Sequence, residues 1–182
     1  SNITFVGTGK DTTTILGGFG IRDLENITFK NMTVTNTTEI GCGILMTNAK
    51  VELMDVALNG CDGHALHIPR SSSEASVVAT RCEFTNSQNG AVVHGSLTSA
   101  KFNNCVFHDN LYDGIHAYQS TIHLHGEGTA LHLNRRYGIY AIMSAKIYIH
   151  LPSHHNTSYN NGTDRETRSS SANGSTGTIT NV

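Results

Sequence analysis

The sequence predicts an all-β fold: a right-handed parallel β-helix, a solenoid of about seven coils with three strands in each coil. Apolar residues recur about every 24 residues along most of the chain, and so does an asparagine followed four residues later by a glycine. The 182 residues include only two prolines, so nearly every residue can donate a hydrogen bond to a neighbouring strand. No stretch shows the periodicity of a helix.

A first strand column is predicted where a short apolar segment follows a glycine. The asparagine and glycine pairs that mark it are Asn59 and Gly63, Asn86 and Gly90, Asn110 and Gly114, and Asn134 and Gly138. Alternation with a period of two predicts that every second residue of these segments faces the core. The residues expected to face inwards are Ile44, Met46, Leu66, Ala91, Val93, Ile115, Ala117, Ile139 and Ala141.

Two further columns complete a three-sided coil. Because equivalent strands of successive coils carry similar residues at equivalent positions, each strand is expected to pair in parallel with the strand of the next coil, about 4.8 Å away. The second column is Val34, Leu58, Phe84, Phe107 and Leu131. The third column is Phe29, Leu53, Ala79, Phe102, Leu124 and Ile149.

Asparagines at successive bends are expected to form a ladder. An Asn side chain can bond the backbone of its own turn and the Asn of the next coil, and Asn tolerates a left-handed φ. We therefore expect Asn86, Asn110 and Asn134 to stack at one bend.

The pattern predicts one domain with a polar appendage. We expect the β-helix over residues 1–155, a polar loop or tail over residues 156–177, and a last strand over residues 178–182. A hydrophobic content of 37% fills one narrow core and leaves little for a second.

Two segments, Ile3–Ile15 and Glu25–Asn36 (ENITFKNMTVTN), resemble early coils of the pectin-lyase-like superfamily of right-handed β-helices. The resemblance covers residues 1 to about 155. It implies a scaffold that lyases, hydrolases, epimerases, esterases, adhesins and non-enzymes share, and it does not choose among them. Related polysaccharide enzymes often bind substrate along an outer parallel sheet, so outward-facing rows of side chains are candidate sites.

Eleven histidines supply two such rows. Imidazole and phenol rings offer hydrogen bonds and flat faces for pyranose rings, and imidazole binds transition metals. A solvent-facing polar stack explains the same residues. The first row is His67, His94 and Tyr118, with His116 and Tyr140 beside them. The second row is Lys101, His123, His125 and His150, with Asn103 and Tyr148 beside them.

Intact catalytic motifs are missing. The resemblance would imply several Asp residues around Ca²⁺, or Asn-Thr-Asp, Asp-Asp and Gly-His-Gly segments, and none is intact. The segments Asp62–His64 and Asp113–His116 echo such motifs, but their aspartates are interpreted as turn formers. The sequence therefore predicts no catalytic residue, no metal site and no small-molecule cofactor.

The four cysteines fall into two pairs. Cys82 and Cys105 share an inward column and are expected in the core as free thiols. Cys42 and Cys61 lie in successive bends, where a disulfide could join adjacent coils. The sequence alone does not decide whether that disulfide forms.

Seven Asn-x-Ser/Thr sequons favour an extracellular or secreted glycoprotein. A β-helix with Asn at its bends and Thr on its strands would also produce sequons without any glycan. We expect a glycan on at least one of the last three sites. The seven are Asn2, Asn26, Asn31, Asn36, Asn156, Asn161 and Asn173.

Charge and hydropathy limit the partners. Charged residues make up 14% of the chain, the net charge is −2 and the basic residues are scattered, so nucleic acid is not expected. No apolar run reaches the roughly 18 residues of a membrane span. Uncapped solenoid ends lead us to expect end-to-end self-association. The ring-bearing rows lead us to expect a polysaccharide or other glycan as a binding partner.

These observations favour a non-enzymatic extracellular β-helix domain for structural assembly, carbohydrate recognition or both. The alternative is a polysaccharide lyase, epimerase or glycoside hydrolase that acts on an acidic polysaccharide.

Overall fold

A computed structural model describes residues 2–150, 157–169 and 174–182, and shows a parallel β-solenoid of about seven coils. None of the described residues is helical, so none belongs to a helix able to cross a membrane. The predicted fold class is confirmed. The strands in chain order are β1 Ile3–Val6, β2 Thr14–Leu16, β3 Phe19–Arg22, β4 Ile27–Thr35, β5 Ile44–Thr47, β6 Lys50–Asn59, β7 Leu66–Ile68, β8 Ala75–Thr80, β9 Glu83–Thr85, β10 Ala91–His94, β11 Thr98–Asn103, β12 Val106–His108, β13 Ile115–Tyr118, β14 Thr121–His125, β15 Ala130–His132, β16 Tyr137–Ile142, β17 Lys146–Ile149, β18 Ser158–Tyr159, β19 Thr163–Arg168 and β20 Thr178–Asn181.

The strands form three faces. The first face contains β1, β8, β11, β14, β17 and β20, and the second contains β2, β9, β12, β15 and β18. Strands β4 and β6 are long enough to turn the corner and belong to both. The third face contains β3, β5, β7, β10, β13, β16 and β19. All these neighbours pair in parallel, as the repeat predicts.

The core consists of the predicted columns. Val34, Leu58 and Phe84 stand opposite one another in successive coils, and every member of the three columns is buried. The rings of Phe84 and Phe107 stack with their centroids 4.6 Å apart and their planes 6° apart. Such offset or parallel aromatic contacts add to the free energy gained by burying the rings.

Most corners of the solenoid carry a left-handed residue. A backbone that leaves one flat face for the next must change direction within one or two residues, and a positive φ does this. The first corner uses Asn31, Asp55, Arg81, Asn104 and Gly126, the second Gly60, Asn86, Asp109, Leu133 and Asn160, and the third Asp23, Asn48, Gly95, Gln119 and Met143. At the first corner, Arg81 Nε and Nη2 donate to the two Asp55 oxygens at 2.8 and 2.6 Å.

An asparagine ladder is present, but its membership differs from the prediction. The Asn110 amide donates to Asn134 Oδ1 at 2.8 Å, and the Asn134 amide donates to Asn161 Oδ1 at 2.8 Å. Asn86 was expected here, but it is the exposed left-handed residue at the corner. Ser87 takes the ladder position instead, and its backbone N–H donates to Asn110 Oδ1.

The segment predicted as a polar loop or tail, residues 156–177, contains a further part of the solenoid. Strand β19 pairs with β16, and β18 pairs with β15. The six residues of β19 are all exposed or half-buried, so backbone pairing holds the strand without the apolar alternation that sequence analysis needs. Strand β20 pairs with β17.

All four cysteines are free thiols. Cys82 and Cys105 are buried in the core as predicted. The disulfide considered between Cys42 and Cys61 is not formed.

Candidate functional site

A row of histidine and tyrosine side chains lies on the outer side of the third face. We call it the third-face row, and it comprises His64, His67, His94, His116, Tyr118 and Tyr140. Strands β7, β10, β13 and β16 carry all of these residues except His64, which precedes β7. The row residues on these strands occupy the alternate positions that face away from the core, although Tyr140 is only 7% exposed.

The register within the row differs from the prediction. His67 stands opposite Val92, and His116 and Tyr140 follow in the same column. His94 begins a neighbouring column with Tyr118. The prediction aligned Gly63 with Gly90, but Leu66 pairs with Ala91, so the third coil is shifted by two residues relative to that alignment.

The rings nevertheless make a continuous series of contacts across the coils. Ring centroids are 5.1 Å apart for His64 and His67, 6.0 Å for His67 and His94, and 5.6 Å for His94 and His116. His116 then meets Tyr140 at 4.9 Å. These contacts are edge-to-face, an arrangement that aromatic quadrupoles favour.

A depression of about 250 Å³ opens beside the row. Asp113 lies in it with 1% of its side chain exposed, and its Oδ2 is 3.2 Å from His116 Nδ1. That contact lacks hydrogen-bond geometry, so both Asp113 oxygens are buried without a hydrogen-bond partner among the described residues. His94 Nε2 is in the same condition. Buried polar atoms without partners are costly, so these three mark the depression as a candidate site.

Three histidines of the row, His64, His67 and His94, have lowered pKa values and are neutral at neutral pH. Burial, followed by the charge of neighbouring histidines, lowers the pKa of His67 and of His94 to about 4. Burial also lowers the pKa of His64, and the nearby Asp113 carboxylate opposes that change. A neutral imidazole keeps one nitrogen as an acceptor for a ligand hydroxyl.

Arg136 is a cationic residue that lines the depression. The Arg136 guanidinium lies 4.8 Å from the Tyr137 ring centroid and 5.6 Å from that of Tyr140. Within the described part of the chain, Arg136 forms no salt bridge. The arginine is therefore positioned by stacking, with its charge free for an anionic group.

Sequence reasoning missed the polar members of this depression. Asp113 was interpreted as a turn former, and Asn89 holds the equivalent position one coil earlier. The Asn89 oxygen accepts a hydrogen bond from the Asp113 backbone N–H, and its amide nitrogen lies 3.1 Å from His64 Nδ1. The sequence does contain a signal that places Asp113 and Asn89 at equivalent positions of two coils, because Asp113 directly precedes Gly114 as Asn89 precedes Gly90.

The second predicted row is also brought together, on the first face. We call it the first-face cluster, and it comprises Lys101, His123, His125, Tyr148 and His150. Lys101, His123 and Tyr148 stand opposite one another on β11, β14 and β17. Among the described residues, the three histidines of this cluster have ligand atoms spaced closely enough to hold a metal ion.

The sequons lie in contrasting environments. Asn2 and Asn26 are exposed, and Asn31 is half-buried. The amide nitrogens of Asn36 and Asn161 already donate to the carbonyls of Cys42 and Leu131. The other two predicted sites, Asn156 and Asn173, lie outside the described residues. Glycosylation at all seven stays a prediction.

Comparison with known families gave one match. A family model described as a right-handed beta helix region matches residues 42–181. No significant similarity was found to the curated proteins or to the solved structures with which the chain was compared.

Proposed function

The chain belongs to the right-handed β-helix family, and on this scaffold we propose that it is an extracellular carbohydrate-recognition domain that binds an acidic saccharide along the third-face row. One observation carries the proposal: a row of contacting rings borders a depression that contains three buried polar atoms without partners. Flat rings suit the apolar faces of pyranoses, and the unpaired atoms suit their hydroxyl groups.

Each group in the depression has a role in this binding mode. The two Asp113 oxygens accept hydrogen bonds from sugar hydroxyls, and His94 Nε2 donates or accepts according to its tautomer. Arg136 pairs with a sugar carboxylate at the rim. A uronate residue offers all three partners at once, which makes an acidic saccharide a better ligand than a neutral one.

The direct test is a glycan array followed by calorimetry with the acidic oligosaccharides that bind. His94→Ala is expected to weaken binding about tenfold, through the lost ring contact and hydrogen bond. His132→Ala is the matched control, because His132 stacks with His108 and Tyr159 on the second face. No binding to any acidic glycan, or equal weakening by both variants, would contradict the proposal.

A second candidate function is hydrolysis or elimination on the same saccharide. The observation that favours it is the 3.2 Å contact between Asp113 Oδ2 and His116 Nδ1, since a carboxylate beside an imidazole can orient it for proton transfer. Incubation with uronate polymers, with and without Ca²⁺, tests for new reducing ends and unsaturated products. Turnover that Asp113→Asn abolishes would support catalysis, and binding without turnover would support recognition.

An extracellular location also predicts which sequons carry glycans. Asn2 and Asn26 are the accessible acceptors among the described sites, whereas a glycan on Asn36 or Asn161 would interfere with a bonded amide. Expression through a secretory pathway, followed by glycopeptide mapping, should find modification at Asn2 or Asn26. Unmodified asparagine at both would argue against secretion.

We also propose that the solenoid takes part in structural assembly through its ends. Strand β1 is paired with β4 on one side, and Phe5 and Val6 on it are 38% and 65% exposed. An edge strand with exposed apolar side chains can pair with another chain.

A further inference from the structure

The three histidines of the first-face cluster are brought together by strand geometry alone. His123 and His125 are two residues apart on β14, so both side chains point outwards on the same side of the sheet. Leu124 stands opposite Ile149 in the next coil. His150, one residue further on, is therefore placed beside His125.

The ring positions leave the nitrogens close together. The rings of His125 and His150 stack with centroids 3.9 Å apart and planes 8° apart. His123 Nδ1 lies 2.8 Å from His150 Nε2. The ligand atoms of all three histidines lie within 4.8 Å of one another, while two nitrogens bound to one tetrahedral zinc ion stand about 3.4 Å apart.

We propose that His123, His125 and His150 form a binding site for a divalent transition-metal ion of the zinc or copper type, with solvent completing the coordination shell. In the metal-free chain, one of the two facing nitrogens of His123 and His150 carries the proton of their hydrogen bond. When a metal ion binds, that imidazole changes tautomer, its proton moves to the other nitrogen of the same ring, and both facing nitrogens are free to bind the ion. This assignment departs from the expectation, drawn from sequence, that the chain has no metal site.

The chemistry of the ligands selects the class of ion. Three imidazoles suit zinc, copper or nickel, whereas Ca²⁺ and Mg²⁺ require oxygen ligands. The side chains are half-buried, which leaves an open position for water, as three-ligand zinc sites have.

Lys101 gives the site a distinctive response. It stands opposite His123 in the preceding coil, so its charge lies beside the three histidines. The same charge repels a bound cation. Lys101→Gln is therefore expected to raise the metal affinity several-fold.

The test uses the full chain without a histidine tag, titrated with Zn²⁺ by calorimetry and with Co²⁺ by visible absorption. We expect one ion per chain, an affinity about 100-fold lower in His125→Ala and in His123→Ala, and no binding of Ca²⁺. His132→Ala, which removes a histidine from the second face, should bind as the wild type does. Circular dichroism of each metal-free variant establishes that it is folded.

Two results would overturn the proposal. One is Zn²⁺ affinity that is unchanged in folded His125→Ala and His123→Ala. The other is binding that disappears in the double variant His154→Ala/His155→Ala and persists without the cluster, which would place the ion on the neighbouring histidine pair of the sequence.

Discussion

Asp113 is a residue whose burial serves binding better than stability. A carboxylate with 1% of its side chain exposed and no hydrogen bond among the described residues has lost its hydration without full compensation. The equivalent position one coil earlier holds Asn89, so the backbone accommodates an amide there. Groups that cost stability in this way concentrate at functional sites.

Asp113→Asn is therefore predicted to raise stability and reduce saccharide affinity together. We expect the free energy of unfolding to increase by about 1–2 kcal/mol, because a buried charge is removed. Binding of an acidic oligosaccharide should weaken about tenfold, because one acceptor of hydroxyl groups becomes partly a donor. Urea unfolding and calorimetry measure the two quantities. A destabilised variant would show that Asp113 has a structural partner instead.

The pH dependence of stability follows from the histidines. Burial lowers the folded-state pKa of His67 and of His94 to about 4, below the roughly 6.5 of an unfolded chain. The unfolded chain then binds more protons between these values, so stability is full above about pH 6.5 and falls as the pH decreases towards 4. The double variant His67→Gln/His94→Gln should show a weaker decrease in melting temperature between pH 7 and 4.5. An identical pH profile would contradict this.

His108 acts in the opposite sense. Burial lowers its pKa, but hydrogen bonds to Asp109 and Glu83 raise the pKa above the ordinary value overall. Its contribution to stability is present below about pH 6.5 and is lost as the pH rises through the folded-state pKa. The same residue type thus responds differently on two faces because one face supplies carboxylates.

Strands were predictable from sequence where one side is buried, and corners were less so. The column from Val34 to Leu131 was identified because its residues are apolar at a regular spacing and stack in register. Asn86 was misassigned because asparagine serves two positions that are one residue apart: the left-handed corner and the ladder. Strand β19 gave no signal, since its side chains are exposed or half-buried and show no apolar alternation, although its backbone pairs with β16.

The candidate site was predictable in type but not in register. Outward rings could be recognised from alternation, yet the two-residue shift of the third coil placed His67 opposite Val92. The depression beside the row depends on Asp113 and Arg136, which come from corners and not from strands. Corners lack a period, so sequence alone does not show which of their residues converge.

The asparagine ladder is held by buried side-chain hydrogen bonds. The Asn110 side chain accepts from the Ser87 N–H and donates to the Phe84 carbonyl and to Asn134, all in a buried position. Asn110→Ala should cost about 1–3 kcal/mol, because buried backbone groups lose their partners. Asn59→Ala is the matched control: Asn59 is exposed, and it should change the free energy of unfolding by less than about 0.5 kcal/mol. Equal effects in urea unfolding would place Asn59 in the ladder as well.

All coils of a solenoid have a similar cross-section. An exposed strand edge of one chain can therefore pair with a strand edge of another chain, as successive coils pair within one chain. A head-to-tail contact of this kind does not close, and it generates a filament rather than a dimer. The first face is where such a contact can be tested, because β1 pairs with β4 and its other side is open among the described strands.

The 182-residue chain is predicted to self-associate through β1. Ile3 N–H and Gly7 N–H donate to the carbonyls of Asn26 and Lys30, so the intervening Thr4 N–H points away from β4, as the slanted bonds of a parallel pair require. Thr4→Pro removes this outward donor without breaking a bond inside the chain, and it should keep the protein monomeric. Thr4→Ala keeps the N–H and should associate as the wild type does. Sedimentation velocity over a wide range of concentrations measures the outcome: a wild-type chain that stays monomeric throughout, or a Thr4→Pro variant that associates equally, would show that this edge does not mediate assembly.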